Sequence, residues 1–157
     1  MIRLTVSLPR DQFQKLSLDV RMWAQPAVRH RVLNAIGRRF LAIALNNMGP
    51  GPGEARPAIW DALEKRYREQ VMKRKFRNEP VPTLLRTGAL RRSLTASVAG
   101  QYAIVEGDSP YAAIHQFGGG RIPPRPYLPM NPDGTALTPY AHKELVAVAQ
   151  KILASIT

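Results

Sequence analysis

The sequence predicts an α+β fold: a small antiparallel sheet of about four strands packed by three to four helices, with long protruding loops. Three observations predict it. Short runs alternate apolar and polar residues. Longer stretches place apolar residues every three or four positions. Clusters of glycine and proline separate the two kinds of segment. At 157 residues and 45% apolar content the chain is one domain with enough mass for a real core. Residues 1–50 read as an N-terminal strand and helices. Residues 58–157 read as a helix, a sheet and a C-terminal helix.

Ile2 to Leu8 alternates Ile2, Leu4, Val6 and Leu8 with Arg3, Thr5 and Ser7, the pattern of a half-buried strand. Phe13, Leu16, Val20 and Trp23 then form one helical stripe after Pro9. Pro26 opens the next helix. Val32, Leu33, Ile36, Phe40 and Ile43 give it an apolar face, and Arg29, Arg31, Arg38 and Arg39 its other side. It stops at Met48-Gly49-Pro50. Gly49 to Pro57 is a linker or exposed loop. A third helix spans about Pro57 to Phe76, with Trp60, Leu63, Tyr67 and Val71 as its core stripe. Asn78 to Thr83 is a second loop, and Leu84 to Leu94 a turn with a short helix. Thr95 to Ala99 and Tyr102 to Gly107 are strands joined by Gly100-Gln101. After Asp108-Ser109-Pro110, Tyr111 to Phe117 reads as a further strand. Thr138 caps the last helix, with Pro139 at its first position and Leu145, Val148 and Ile152 on its buried face.

The net charge of +12 is unevenly placed. Met1 to Thr95 holds 19 basic and 7 acidic residues, whereas Ala96 to Thr157 holds 4 of each. Such a field favours an anionic partner, either nucleic acid or an acidic protein surface; a solvated helix face explains it equally well. Lys73, Arg74, Lys75 and Arg77 sit near a helix end, where basic residues also complement the helix dipole. Arg86, Arg91 and Arg92 lie on or beside the short helix. These seven are the candidate DNA-facing residues, making non-specific phosphate contacts. No aromatic platform or helix-turn-helix pattern points to base reading. The alternative function is therefore a cytoplasmic basic nucleic-acid-binding module without base specificity.

Nothing in the sequence spells an active site. There is no cysteine, and His30, His115 and His142 fall in no metal-ligand spacing. The acids form no catalytic pair, GGGR lacks the rest of a phosphate loop, and Ser93 and Ser109 lack a nucleophile-elbow context. The expectation is a protein with no catalytic, metal or cofactor site. No apolar run is long enough for a membrane span, and no signal peptide is evident, so a cytoplasmic origin is expected.

The most unusual stretch is YAAIHQFGGGRIPPRPYLPM, Tyr111 to Met130. Three glycines, Gly118 to Gly120, are followed by Pro123, Pro124, Pro126 and Pro129, so a hinge runs into a stiff extended path. Arg125, between two prolines, either anchors a neighbour's carboxylate by a bidentate pair or closes the loop onto its own fold. His115 shares the segment with Tyr111 and Phe117 and reads first as a packed, hydrogen-bonded histidine.

Three of these segments, in this order, resemble the phage virion morphogenesis family, the neck or tail-completion proteins of tailed phages. They are Trp60 with Leu63 leading into a basic stretch, LLRTGALRRSL, and YAAIHQFGG followed by IPPRPYL. The resemblance spans about Trp60 to Leu153. On it, Tyr111, His115, Gln116, Phe117, Gly118, Gly119, Pro124, Arg125, Pro126, Tyr127 and Leu128 match the family motif. It implies that these residues shape a strand-to-loop turn and a docking loop, the candidate subunit interface. It also implies a non-enzymatic virion protein that forms a six-fold ring at the head–tail junction. Its partners would be copies of itself and the neighbouring neck, head-closure and tail-tube proteins, with possible non-specific contact with packaged DNA. Gly120 and Arg121 stand where the family varies in length.

Overall fold

In the computed structural model the described residues are 2–6, 24–49, 56–58, 60, 64–66, 69, 84, 87–131 and 134–156. The stripe predicted on Phe13 to Trp23, the loop at 78–83 and most of the helix predicted over 57–76 lie outside them. Lys65, Arg66 and Glu69, from that last segment, are helical.

The alternating segments form strands. β1 is Ile2–Val6, β2 is Leu94–Ala99 and β3 is Tyr102–Gly107. β2 and β3 are joined by Gly100-Gln101, and Gly100 takes the positive φ of 59° that a tight two-residue hairpin needs. β1 pairs antiparallel with the other edge of β3, so the order is β1-β3-β2 and β3 is central. The register places Ala96 opposite Val105 and Val98 opposite Ala103. These residues share one face of the sheet with Leu94, and Thr95 and Ser97 point from the other.

α1, Pro26–Asn47, lies against that face. Its spacing of three and four puts Val28, Val32, Leu33, Ile36, Phe40 and Ala44 in the core. The closest approach is made by small residues. A Cβ placed on Gly37 would sit 3.5 Å from the Cβ of Ala103 and 3.7 Å from that of Ala96. α4, Pro139–Ala154, packs on α1 through Leu145, Ala149 and Leu153. Thr138 accepts a hydrogen bond from the Ala141 amide at 3.3 Å, and Pro139 follows it, the cap expected from the sequence. Arg39 forms an ion pair with Glu144 between α1 and α4. Both side chains are about one-third exposed, so solvent screening holds its worth to at most ~1 kcal/mol.

Two short helices connect the sheet to the rest. α2, Ala89–Ser93, starts at Gly88 with φ 71° and runs directly into β2. α3 is Ala112–Phe117, and here the sequence reading is corrected. The run Tyr111 to Phe117 is a helix, not a strand, so the sheet has three strands among the described residues. As a helix it turns Ala112 and Gln116, four apart, inward together, and leaves Tyr111, Ala113 and Phe117 outside. It closes through the Gly118 amide on the Ile114 carbonyl at 2.9 Å. No described helix is long and apolar enough to cross a membrane.

The crossing at Gly37 yields a directional test. Gly37→Ala fits at ordinary contact distance and adds helix propensity, so it holds or raises the melting temperature. Gly37→Leu forces α1 off the sheet and lowers stability by about 1–3 kcal/mol, the usual cost of overpacking. Chemical denaturation of the two variants checks this; an equal loss in both would contradict the close crossing.

Candidate functional site

The residues after α3 are held mainly by side chains rather than by a strand partner. Gly118 has φ 77°, and a Cβ there would stand 3.1 Å from the ring of Pro124, so both conformation and space require glycine. Gly119 and Ile122 then pair antiparallel through two backbone hydrogen bonds of 3.1 and 3.0 Å. Gly120 and Arg121 form the tip of this miniature hairpin. It is exposed, and with α3 it displays Tyr111, Phe117 and Ile122, which are 63%, 53% and 41% exposed.

The chain then dives inward. Arg125, Pro126, Tyr127, Leu128, Pro129 and Met130 are all buried. A buried segment with no strand beside it must find partners for its amides and carbonyls. The Gln116 side-chain oxygen, Oε1, accepts from the amides of Tyr127 at 3.1 Å and Leu128 at 3.0 Å. The Asn47 side-chain amide donates to the Tyr127 carbonyl at 2.9 Å. The Trp60 indole N–H donates to the Pro126 carbonyl at 3.0 Å. The Arg125 amide donates to the His115 carbonyl at 2.7 Å, and the Thr138 amide to the Pro129 carbonyl at 3.1 Å. Trp60 is itself placed by Arg56. The Arg56 guanidinium lies 3.9 Å from the Trp60 ring centre and donates to the carbonyls of Asn47 and Gly49, which end α1. The loop is thereby tied to the C-terminus of α1, to α3 and to the start of α4.

The motif residues therefore divide. Gln116, Gly118, Pro126, Tyr127 and Leu128 build the turn and its buried path. Tyr111, Phe117, Gly119 and Pro124 face outward. His115 and Arg125 lie between, with buried polar atoms. Among the described residues, His115 Nδ1, Gln116 Nε2, Arg125 Nε and the Tyr127 hydroxyl are buried without a hydrogen-bond partner, and all four belong to this motif. Burial pushes the Tyr127 hydroxyl up to about 12. Burial, and after it the Arg125 charge, hold the His115 imidazole below its ordinary value of 6.5.

The expected turn thus exists, leading from a helix rather than from a strand. Asn47 and Arg56 were not picked out from the sequence. Asn47 reads there as a helix end, and Arg56 sits in a glycine-proline run; each acts on a distant residue. Of the basic candidates, Arg91 and Arg92 are exposed on α2. Lys73, Arg74, Lys75, Arg77 and Arg86 lie outside the described residues. His30 and His142 are exposed. Among the described residues no group of three histidine, aspartate or glutamate side chains is placed to hold a metal.

His115 gives the site a pH signature. Its folded pKa lies below its unfolded value, so the unfolded chain binds a proton first as pH drops. The stability this neutral imidazole supports is present above the unfolded pKa of 6.5 and is lost as pH falls through it toward the folded value. Denaturation midpoints should therefore decline as pH falls through about 6.5, and His115→Gln should flatten that decline. Identical pH profiles for the two proteins would contradict it.

No curated protein and no solved structure matches the chain. The model of the phage virion morphogenesis family matches residues 12–153, nearly the whole chain. The match takes in α1, strands β2 and β3 and the buried loop, and begins after β1. The chain belongs to the phage virion morphogenesis family, and this implies a structural part in a bacteriophage virion.

Proposed function

We propose that this protein is a non-enzymatic subunit that acts at the head–tail junction of a tailed phage, in tail completion or neck assembly, as a closed ring of copies. The observation that carries this reading is the rigid seating of the hairpin at 119–122. The segment that follows it, Arg125 to Met130, is buried and tied to α1, α3 and the start of α4. The hairpin and the adjoining face of α3 expose three large apolar side chains, Tyr111, Phe117 and Ile122. An apolar patch held on a fixed scaffold suits docking on a neighbour. Copies in a ring use two different faces, one received by the next copy. Six-fold closure would match the tail, and the layers above and below would be head-closure, neck and tail-tube proteins. On this reading the protein is assembled in the host cytoplasm and resides in the virion.

A second reading rests on charge. The net charge of +12, with Arg91 and Arg92 exposed on α2, suits non-specific contact with DNA phosphates. It predicts duplex binding that collapses steeply with salt.

The test is the mass of the protein in solution, alone and mixed with tail tubes, at low and high salt. Rings, or a monomer that becomes a ring on tubes, are expected. The double variant Phe117→Ser with Ile122→Ser should stay monomeric and leave tubes uncapped. Wild-type protein that remains a monomer, ignores tubes and binds DNA at low salt would overturn the ring and favour the second reading.

A further inference from the structure

We propose that Arg125 is a receptor for a carboxylate delivered by a neighbouring protein subunit, with His115 beside it as a second donor. The inference rests on the reading of this loop as a docking loop and names the chemistry of its partner.

Arg125 is only 7% exposed. Its backbone cannot swing: it lies between Pro124 and Pro126, and its amide is bonded to the His115 carbonyl at 2.7 Å. Its Nε is buried without a partner, and among the described residues no carboxylate reaches it. A guanidinium is always charged, offers five donors and accepts nothing. Burying one with no counter-charge is costly, and the cost disappears if an anionic acceptor arrives. His115 Nδ1 is likewise buried and unpartnered. Burial, and after it the Arg125 charge, favour the neutral imidazole, which carries one N–H donor that an arriving acceptor can use.

Two features favour a carboxylate over a DNA phosphate. Arg125 is so little exposed that a group at the tip of an aspartate or glutamate side chain reaches it more readily than the backbone of a duplex. A planar carboxylate also matches the edge of a guanidinium in a bidentate pair. The exposed large side chains of the same helix-to-loop segment, Tyr111, Phe117 and Ile122, are apolar like the core of a protein interface.

The test follows the Arg125 Nε–H resonance of the wild-type protein while sodium acetate is added, against sodium chloride and sodium phosphate at equal ionic strength. Acetate should move the resonance saturably and raise the melting temperature above the chloride control. Arg125→Gln should weaken acetate binding about tenfold or more, the worth of a charge-assisted hydrogen bond. Arg125→Lys, which keeps the charge, should retain part of it, so that a poorly folded glutamine variant does not decide the matter. The same resonance should then move on self-association if the carboxylate comes from a second copy, or only with tail tubes if it comes from a tail protein. No saturable response to acetate, or a stronger one to phosphate, would overturn the proposal. Acetate binding with no ring under any condition would sustain the receptor and sink the ring. Rings formed equally well by Arg125→Gln and Arg125→Lys would sustain the ring and sink the receptor's part in it.

Discussion

A buried stretch of extended backbone with no strand beside it must have its amides and carbonyls satisfied by something, because water cannot reach them. At Pro126, Tyr127 and Leu128 most of that work falls to three side chains. Gln116 takes both amides, Asn47 the Tyr127 carbonyl and Trp60 the Pro126 carbonyl, while the Leu128 carbonyl accepts from the Met130 amide. Leaving any one of these groups unpaired costs about 1–3 kcal/mol, comparable to a whole buried side chain. The rest follows from where those three residues must stand. Asn47 closes α1, which runs between the sheet and α4. Gln116 requires that 112–117 be a helix. Trp60 requires Arg56, which in turn covers the open carbonyls at the end of α1. The loop is thus tied to the same elements that build the core.

On the proposed reading, that seating is what gives the exposed hairpin a use. Ordering two partners at an interface costs conformational entropy, and a segment already ordered by its own fold loses less on docking. The apolar side chains of Tyr111, Phe117 and Ile122 stand on such a base. The charge distribution divides the labour further. The half of the chain that carries the loop is electrically neutral as a whole, whereas the excess positive charge lies before residue 96. Apolar contact through one region and long-range attraction through another are compatible in one small subunit.

Much of this was legible in the sequence. The periodicity of Val32, Leu33, Ile36, Phe40 and Ile43 marks α1, and Thr138-Pro139 marks the start of α4. The alternation around Gly100-Gln101 marks the hairpin. The family motif drew attention to the turn and named Gln116, Tyr127 and Leu128, though not what they do for one another. YAAIHQF was misread because seven residues with apolar and polar types mixed fit either period. The signal that decides it is local: Gly118 takes a positive φ and closes the last helical turn. Asn47 and Arg56 were out of reach for a different reason. Asn47 meets a residue 80 positions away, and a single chain with no periodic pattern at that distance does not announce such a bond.

The most direct measurement is amide hydrogen exchange at Tyr127 and Leu128, in the wild type and in Gln116→Ala. If Gln116 holds the loop, both amides exchange as slowly as those in the middle of α1, and the substitution frees them while α1 stays protected. Fast exchange of both amides in the wild type, at the rate of the exposed tip at Gly120, would contradict the clamp and with it the rigid docking loop.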